Sequence, residues 1–239
     1  MKRLTLTTCA ILIMVFTSAI TIAQSTETRN LSGFTQVSFG VSGNLNIRIG
    51  SEFKVTLEAD KDFLAEIETK VSNNRLVITR KDDYRYRRLR SNNNSKVTVN
   101  ITMPAISGIT VSGSGTVEVF DSFKTGSLSL SVSGSGRLIL NDVLGEELNC
   151  TISGSGGVLV NGNGSFTKSN IRISGSGRYN GESLKSETVN VTISGSGGCI
   201  CYVTNSLEAR VSGSGRVTYL GNPQKIDSTV SGSGRVRPQ

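Results

Sequence analysis

The sequence predicts an all-β protein: a single-domain parallel β-helix with coils of about 20 residues and an irregular N-terminal cap. One observation is the near-constant spacing of 18 to 21 residues between successive copies of a short phrase. Another is that residues one, three and five positions before the phrase's first serine, and five after it, are mainly apolar, which is the alternation of a strand. A β-sandwich would not repeat the phrase so closely. The phrase is Val or Ile followed by Ser-Gly-Ser-Gly, and its first serines are Ser112, Ser133, Ser153, Ser174, Ser194, Ser212 and Ser231.

The Ser-Gly-Ser-Gly phrase leaves two orientations open. If the alternation runs unbroken through it, both glycines point into the core and both serines face solvent in two stacked columns. Alternatively, the phrase is a corner at which glycine supplies backbone angles that other residues avoid. In either case we expect the phrases to superpose in one column along the axis, with successive copies about 4.8 Å apart.

Residues 1–23 are predicted to be a secretory signal peptide, because two basic residues precede an apolar run. A cleavage site follows the run, with the small residues Thr21 and Ala23 at positions −3 and −1. A membrane anchor is the alternative, but the run is shorter than the roughly 20 apolar residues that a span needs. We therefore expect an exported protein, in the periplasm, on the outer membrane surface or secreted, with no transmembrane segment after cleavage. Residues 24–29 are then a short linker, and residues 30–239 form the domain.

The composition argues against a nucleic-acid partner. The chain has 26 lysines and arginines, 18 acidic residues and no histidine, for a net charge of +8. Loss of the signal peptide removes two of the basic residues, which leaves a mildly basic domain. Tryptophan is absent and aromatic residues make up 5% of the chain, so the stacking surfaces that hold single-stranded nucleic acid are missing.

Three cysteines remain after the predicted cleavage: Cys150, Cys199 and Cys201. Each falls in a column otherwise held by Ile, Val or Leu, where a free thiol behaves as a small hydrophobic group. Their odd number argues against a full disulfide framework, and the histidine or second pair that a zinc site needs is absent. We expect all three to be reduced and buried.

Residues 30–104 are predicted to form irregular first coils and the cap, and residues 105–239 the regular repeats. Alternating apolar residues predict strands around Val37, Leu45 and Val55. Two stretches resemble decayed copies of the phrase, with Asn at positive φ in place of some glycines. These stretches are Val41-Ser42-Gly43-Asn44 and Val71-Ser72-Asn73-Asn74.

A short helix is predicted between these two stretches, from Asp60 to Thr69. Phe63, Leu64 and Ile67 have helical spacing, and Asp60 stands where an N-cap belongs.

The Arg-rich segment Arg80–Arg90 departs most strongly from the repeat. It could be a basic, tyrosine-bearing arm that grips an anionic glycan or a lipid headgroup. The alternative is a solvated hairpin tip between strands near Leu76 and Val97. The candidate basic contacts in it are Arg85, Arg87, Arg88 and Arg90.

No catalytic, cofactor-binding or metal-binding residue is assigned. The acidic residues of the repeats stand at different offsets in the variable corners and do not converge as a calcium-dependent lyase would need. A serine nucleophile needs a positioned base, and the chain has no histidine. We therefore do not expect an enzyme or a cofactor.

Several motifs together resemble the putative auto-transporter adhesin family with the head GIN domain, over about residues 30–239. The resemblance implies an exported bacterial protein with a right-handed β-helix and an adhesive role, and it transfers no functional residues to this chain. The Arg-rich segment is a departure from the family pattern. The motifs are the tandem Ser-Gly-Ser-Gly phrases, Leu57-Glu58-Ala59-Asp60 to Ile67-Glu68-Thr69, Thr102-Met103-Pro104 and Tyr219-Leu220-Gly221-Asn222-Pro223.

The predicted function is that of an exported, non-enzymatic adhesin or binding module that contacts a cell-surface glycan or an envelope component. The alternatives are a carbohydrate-active β-helix enzyme, lyase-like or hydrolase-like, and a purely structural envelope protein. The candidate binding face consists of Ser112, Ser114, Ser133, Ser135, Ser153, Ser155, Ser174, Ser176, Ser194 and Ser196.

Overall fold

The computed structural model describes residues 25–81 and 96–239. These residues form one continuous sheet of 19 strands, wound into a β-solenoid of about 7 turns with coils of roughly 20 residues, together with one short helix. The predicted all-β solenoid is therefore confirmed. The predicted signal peptide and the four arginines from Arg85 to Arg90 lie outside the described residues. No helix in the described ranges is both long enough and apolar enough to span a membrane.

Each regular coil contains a long strand that ends at the first glycine of the phrase and a short strand that begins just after the phrase. The long strands are β8 (Gly108–Gly113), β10 (Phe123–Gly134), β12 (Val143–Gly154) and β14 (Gly164–Gly175). The short strands are β9 (Thr116–Val119), β11 (Arg137–Leu140) and β13 (Gly157–Val160).

In the next two coils, a short strand runs on into the following long strand without a break. The result is two longer elements, β15 (Arg178–Gly195) and β16 (Gly198–Gly213). The last strands are β17 (Arg216–Leu220), β18 (Lys225–Ser231) and β19 (Arg235–Pro238).

All strand pairs within the regular repeats are parallel, and their register joins equivalent residues of neighbouring coils. Ser133 pairs with Ser112 on one side and with Ser153 on the other. The same register continues to Ser231, so the predicted single column of phrases is confirmed.

The Ser-Gly-Ser-Gly phrase forms a corner, which is the second of the two alternatives that the sequence left open. Gly154, the first glycine of its copy, has φ of 109°, a conformation that side chains rarely adopt. Gly156, the second glycine, is buried. A Cβ there would lie 2.6 Å from Cγ1 of Val132 and 2.5 Å from the carbonyl oxygen of Gly136, so only glycine fits. The serines face solvent, as in the first alternative, but the alternation of the strand is interrupted at the corner.

In the N-terminal third, the order of coils in space differs from their order in the chain. Strand β2 (Gln36–Phe39) lies between β6 (Arg75–Arg80) and β8, in parallel with both. Strand β3 (Gly43–Ile49) lies in the same way between β7 (Val97–Met103) and β9. The first coil in the chain, β2 with β3, is therefore the second coil in the stack. The next coil in the chain, β6 with β7, lies outside it at the end of the stack.

Antiparallel strands cover that end, which confirms the predicted irregular cap. Strand β4 (Lys54–Ala59) pairs with β7, and β1 (Ser25–Arg29) pairs with β4. Strand β5 (Ile67–Ser72) pairs with β6. The outer edges of β6 and β7, the strands of the end coil, are thus both paired, so neither is open to another chain.

The two predicted decayed phrases require correction. Strand pairing sets Phe39 opposite Val111 and Asn44 opposite Thr116, so the counterpart of the phrase begins at Phe39, two residues earlier than predicted. The second stretch is not a coil phrase, because Asn73 and Asn74 form the two-residue turn of the β5–β6 hairpin. Their φ angles of 50° and 61° do confirm the predicted positive φ of Asn.

The predicted helix is present but shorter, as α1 (Lys61–Glu66). It ends there because Ile67 begins β5 and pairs with Arg80. Phe63 and Leu64 are buried. Asp60 occupies the N-cap position, but its side chain makes no capping hydrogen bond, so that role was predicted wrongly.

Candidate binding face

The ten serines predicted as the candidate face are all exposed. They form two parallel columns, one at the end of the long strands and one in the corner, which we call the serine face. Backbone hydrogen bonds tie each corner to the preceding coil, for example from the Ser155 N–H to the Gly134 carbonyl at 2.9 Å and from the Gly157 N–H to the Gly136 carbonyl at 3.0 Å. The serines are therefore held at fixed intervals of about 4.8 Å along the axis.

The hydroxyls of the serine face are free within the part of the chain that the structure describes, since none of them has a hydrogen-bond partner there. Each hydroxyl can donate one hydrogen bond and accept others. The packing that requires glycine at Gly154 and Gly156 does not require a hydroxyl beside it. The serine oxygens are thus available to a ligand, whereas the glycines are explained by the fold.

An asparagine ladder runs along the outer face of the long strands, four residues before the first serines of the phrases. The Asn170 amide donates to Oδ1 of Asn149 at 3.0 Å, and the Asn190 amide donates to Oδ1 of Asn170 at 2.9 Å. Asn170 also donates to Oε1 of Glu147. These half-buried groups bond to one another along the axis, which favours a structural role for them.

The predicted basic contacts cannot be placed, because Arg85, Arg87, Arg88 and Arg90 lie outside the described residues. Their neighbours in the chain do have a defined position. Ile78 pairs with Phe39, and Val97 pairs with Gly43, so these flanking residues lie at the corner equivalent to the phrase, beyond the Ser112 end of the serine column.

The acidic residues of the corners do not gather at one point. Asp121 pairs with Arg48 and accepts the Ile49 N–H at 2.9 Å, whereas Asp142 accepts the Asn163 N–H at 2.6 Å on another coil. Within residues 25–81 and 96–239, no three Asp, Glu, Cys or His side chains are placed to hold a metal ion.

The interior contains Cys150, Cys199 and Cys201, all buried and without a disulfide, as predicted. Burial raises the pKa of Cys150 to about 12. A hydrogen bond with Cys201, together with burial, raises the pKa of Cys199 well above its usual value. Burial likewise raises the pKa of Tyr179. These groups stay protonated near neutral pH, so they are poor nucleophiles.

We expect the folded protein to react with iodoacetamide at least about tenfold more slowly than the unfolded protein, because all three thiols are buried and the raised pKa values of Cys150 and Cys199 keep those two protonated. Raising the pH from about 7 to about 9 should accelerate labelling of the unfolded chain much more than that of the folded chain. Mass spectrometry of the labelled protein provides the measurement. Rapid labelling of all three thiols without denaturant, or a mass lower by two hydrogens, would contradict the expectation.

Sequence reasoning missed the side chains that follow the phrase on the other side of the corner. The first residue of each short strand forms a column in which arginine alternates with glycine: Arg137, Gly157, Arg178 and Gly198, followed by Arg216 and Arg235. The alternation is visible in the sequence once the phrases are aligned, four residues after each first serine.

Stacked parallel coils with a regular row of exposed hydroxyls define a β-solenoid that presents a repeated polar surface. The chain belongs to the family of the putative auto-transporter adhesin, head GIN domain, whose sequence model matches residues 33–223. The resemblance seen in the sequence is thereby confirmed. A comparison with curated proteins finds no match.

Solved structures of similar fold include proteins from Bacteroides and Parabacteroides. A putative adhesin from Bacteroides fragilis has a TM-score of 0.82 at 22% identity, over 91% of this chain and 97% of that one. A putative adhesin from Parabacteroides merdae has a TM-score of 0.69 at 18% identity, over 90% and 96% of the two chains. A putative lipid binding protein from Parabacteroides distasonis has a TM-score of 0.68 at 19% identity, again over 90% and 96%. At these identities the likeness concerns the fold alone.

Proposed function

We propose that this protein is an exported, non-enzymatic adhesin that binds a glycan or another envelope component through the serine face. The observation that carries the proposal is the set of ten exposed hydroxyls, held in register and free of partners within the described chain. The names of the family and of its structural relatives, putative adhesins, support a binding module. The Arg-rich segment is a secondary contact in this proposal, since the residues that flank it, Ile78 and Val97, lie at the corner beyond the end of the same column.

Affinity in such a site comes from repetition. A single exposed hydroxyl contributes little, because water competes for its hydrogen bonds. Identical groups at a fixed interval act together on a repetitive polymer, or across many copies of the protein on a cell surface, and the combined affinity then exceeds that of one contact by orders of magnitude.

Removing four hydroxyls from the centre of the serine face should weaken attachment to a polysaccharide that the unaltered protein binds. The expected loss is about tenfold, which corresponds to about 0.3–0.4 kcal/mol for each hydroxyl. Circular dichroism should show an unchanged fold, because the oxygens make no hydrogen bond within the described chain. The variant carries Ser133→Ala, Ser135→Ala, Ser153→Ala and Ser155→Ala.

The matched control removes four exposed hydroxyls away from the corner and should bind as the unaltered protein does. Both variants are assayed on immobilised mannan, dextran, peptidoglycan, hyaluronate and heparin. Equal attachment of the two variants would remove the serine face from the proposal, and cleavage of any of these polymers by the unaltered protein would overturn the non-enzymatic assignment. The control carries Ser127→Ala, Ser129→Ala, Ser165→Ala and Ser183→Ala, all at exposed positions.

A further inference from the structure

A row of arginines runs along the solenoid directly beside the corner column of the serine face. It occupies the first position of the short strands, where strand pairing joins Arg137 to Gly157, Gly157 to Arg178 and Arg178 to Gly198. The same row continues from Gly198 to Arg216 and on to Arg235. We call the four arginines the arginine row. Arg137 and Arg178 lie on alternate coils, as do Arg178 and Arg216, so the members of each pair are about 10 Å apart along the axis.

The four guanidinium groups are exposed, and within the described ranges none of them forms an ion pair, a hydrogen bond or a ring contact. Some other arginines have acidic partners, since Arg48 pairs with Asp121 and Arg210 pairs with Glu208, whereas Arg172 and Arg237 have none among the described residues. A row of like charges without ion-pair partners is unfavourable for the folded protein, and an anionic ligand would relieve that repulsion.

The glycines of this row open a groove at each gap between arginines. Around Gly157, a groove of about 330 Å³ lies between Arg137 and Arg178. Around Gly198, a groove of about 550 Å³ lies between Arg178 and Arg216, and Arg237 also lines it. Neither groove has an acidic side chain in its lining.

Packing does not require glycine at Gly198, and it crowds a side chain at Gly157 less than at the glycines of the phrase. A Cβ on Gly198 would meet only Cγ of Arg178, at 3.9 Å, which is ordinary contact. A Cβ on Gly157 would lie 3.2 Å from the backbone carbonyl oxygen of Arg178, a tight contact that requires the backbone to move by a few tenths of an ångström. Glycine weakens a strand, and where packing does not demand it, it often marks a site of close approach by a ligand.

The rest of the lining suits a sugar. Ser196, Ser214 and Thr218 bring hydroxyls to the larger groove, and Asn180 brings an amide to both. Half-buried aliphatic side chains form the floor beside them, namely Ile139 and Leu159 in one groove and Ile200 in the other. Hydroxyls and amides can bond the hydroxyls of a sugar, while the aliphatic floor meets its apolar faces.

We infer that the arginine row and its grooves bind a linear acidic polysaccharide, with the polymer lying along the solenoid axis and its carboxylate or sulfate groups on successive arginines. Arginine binds such groups through two parallel hydrogen bonds. The spacing of about 10 Å between alternate coils suits a polymer with one acidic group for each disaccharide. The inference names the ligand class of the adhesin, and it rests on the proposed function in that respect.

Nucleic acid fits the grooves less well. Tyr179, the only aromatic residue in either lining, is buried and offers no exposed ring on which a base could stack. Successive phosphates on a strand are also closer together than alternate coils are.

The test compares two variants that lose the same charge. The first carries Arg137→Gln, Arg178→Gln, Arg216→Gln and Arg235→Gln. The second carries Arg48→Gln, Arg75→Gln, Arg172→Gln and Arg210→Gln, which are exposed arginines outside the row. Binding to hyaluronate, polygalacturonate and heparin is measured by surface plasmon resonance at low and at physiological salt, with dextran as the neutral polymer.

We expect the row variant to lose affinity for at least one acidic polymer about 30-fold or more, and the second variant to lose about threefold or less. The affinity of the unaltered protein should fall as salt rises, because the contacts are partly exposed. Gly198→Val leaves every charge in place but fills the larger groove, and it should also weaken binding. Circular dichroism checks that each variant retains its strands.

Equal losses in the two arginine variants would overturn the inference, since binding would then depend on net charge alone. So would the absence of binding to all three acidic polymers, or tighter binding to oligo(dT) or to vesicles of anionic lipid than to any of them. Attachment to dextran or mannan that is lost in the serine variant but kept in the row variant would overturn the inference while leaving the proposed function in place.

Discussion

Replacing Phe39 with alanine is expected to lower the free energy of unfolding by about 3–5 kcal/mol, the usual cost of deleting a buried ring. Phe39 is completely buried in β2, with β6 on one side and β8 on the other. Its ring occupies the space next to Gly115, where a Cβ would lie 2.4 Å from Cε1 of Phe39. Urea denaturation followed by circular dichroism provides the measurement.

Phe120→Ala is the matched control, because it deletes the same ring from an exposed position. Phe120 is 36% exposed, and its ring lies 5.1 Å from the Arg48 guanidinium. A loss of about 0.5–1 kcal/mol is expected there, the usual value for an exposed cation–π contact. If the two variants lost equally little, the N-terminal coil would not be packed into the stack as described.

Gly154→Ala is expected to lower the free energy of unfolding by about 2–4 kcal/mol. Two effects combine: a residue with a side chain at φ of 109° is strained, and the new Cβ would lie 2.6 Å from the Gly134 carbonyl oxygen. That oxygen accepts the hydrogen bond from the Ser155 N–H, so the corner cannot shift without losing the bond. Urea denaturation measures the loss, and it should spread to the neighbouring coils because every corner rests on the one before it.

Gly126→Ala provides the control for this substitution. Gly126 is exposed in β10, and a Cβ there would meet no atom within 4 Å. The change in free energy of unfolding should stay below about 0.5 kcal/mol. A similar loss in both variants would mean that glycine matters for general chain flexibility and not for the packing of the corner.

The two substitutions bear on function because the corner carries the candidate ligands. The positive φ at Gly154 turns the chain so that Ser153 and Ser155 stand on either side of it, and Gly157 begins the next strand. Loss of the corner would therefore disturb the serine face and the arginine row together. The serine and arginine variants remove ligand groups and leave the corner intact, so they separate binding from folding.

The sequence by itself determined the class of fold, the column of phrases and the burial of the three cysteines, whereas it left the orientation of the serines open. It could do so because a parallel stack repeats the same environment in every coil, so that an apolar position in one copy is an apolar position in all. Seven copies show which positions are consistently apolar even where a single copy departs from the pattern. The family resemblance followed from the same repeated motifs.

Only the tertiary structure decided how the irregular third fits the stack. Val41 was aligned with the wrong residue of the phrase because a shift of two keeps the strand alternation intact, and only the pairing of Phe39 with Val111 reveals it. The Asn73–Asn74 turn looked like a coil phrase because both need positive φ, and the antiparallel pairing of β5 with β6 distinguishes them. The arginine row likewise became a candidate site only when strand pairing aligned residues about 20 positions apart and showed grooves between them. Local sequence patterns carry the periodicity of a strand, but the partner of each strand, and hence the surface that neighbouring coils build together, depends on contacts between residues distant in the chain.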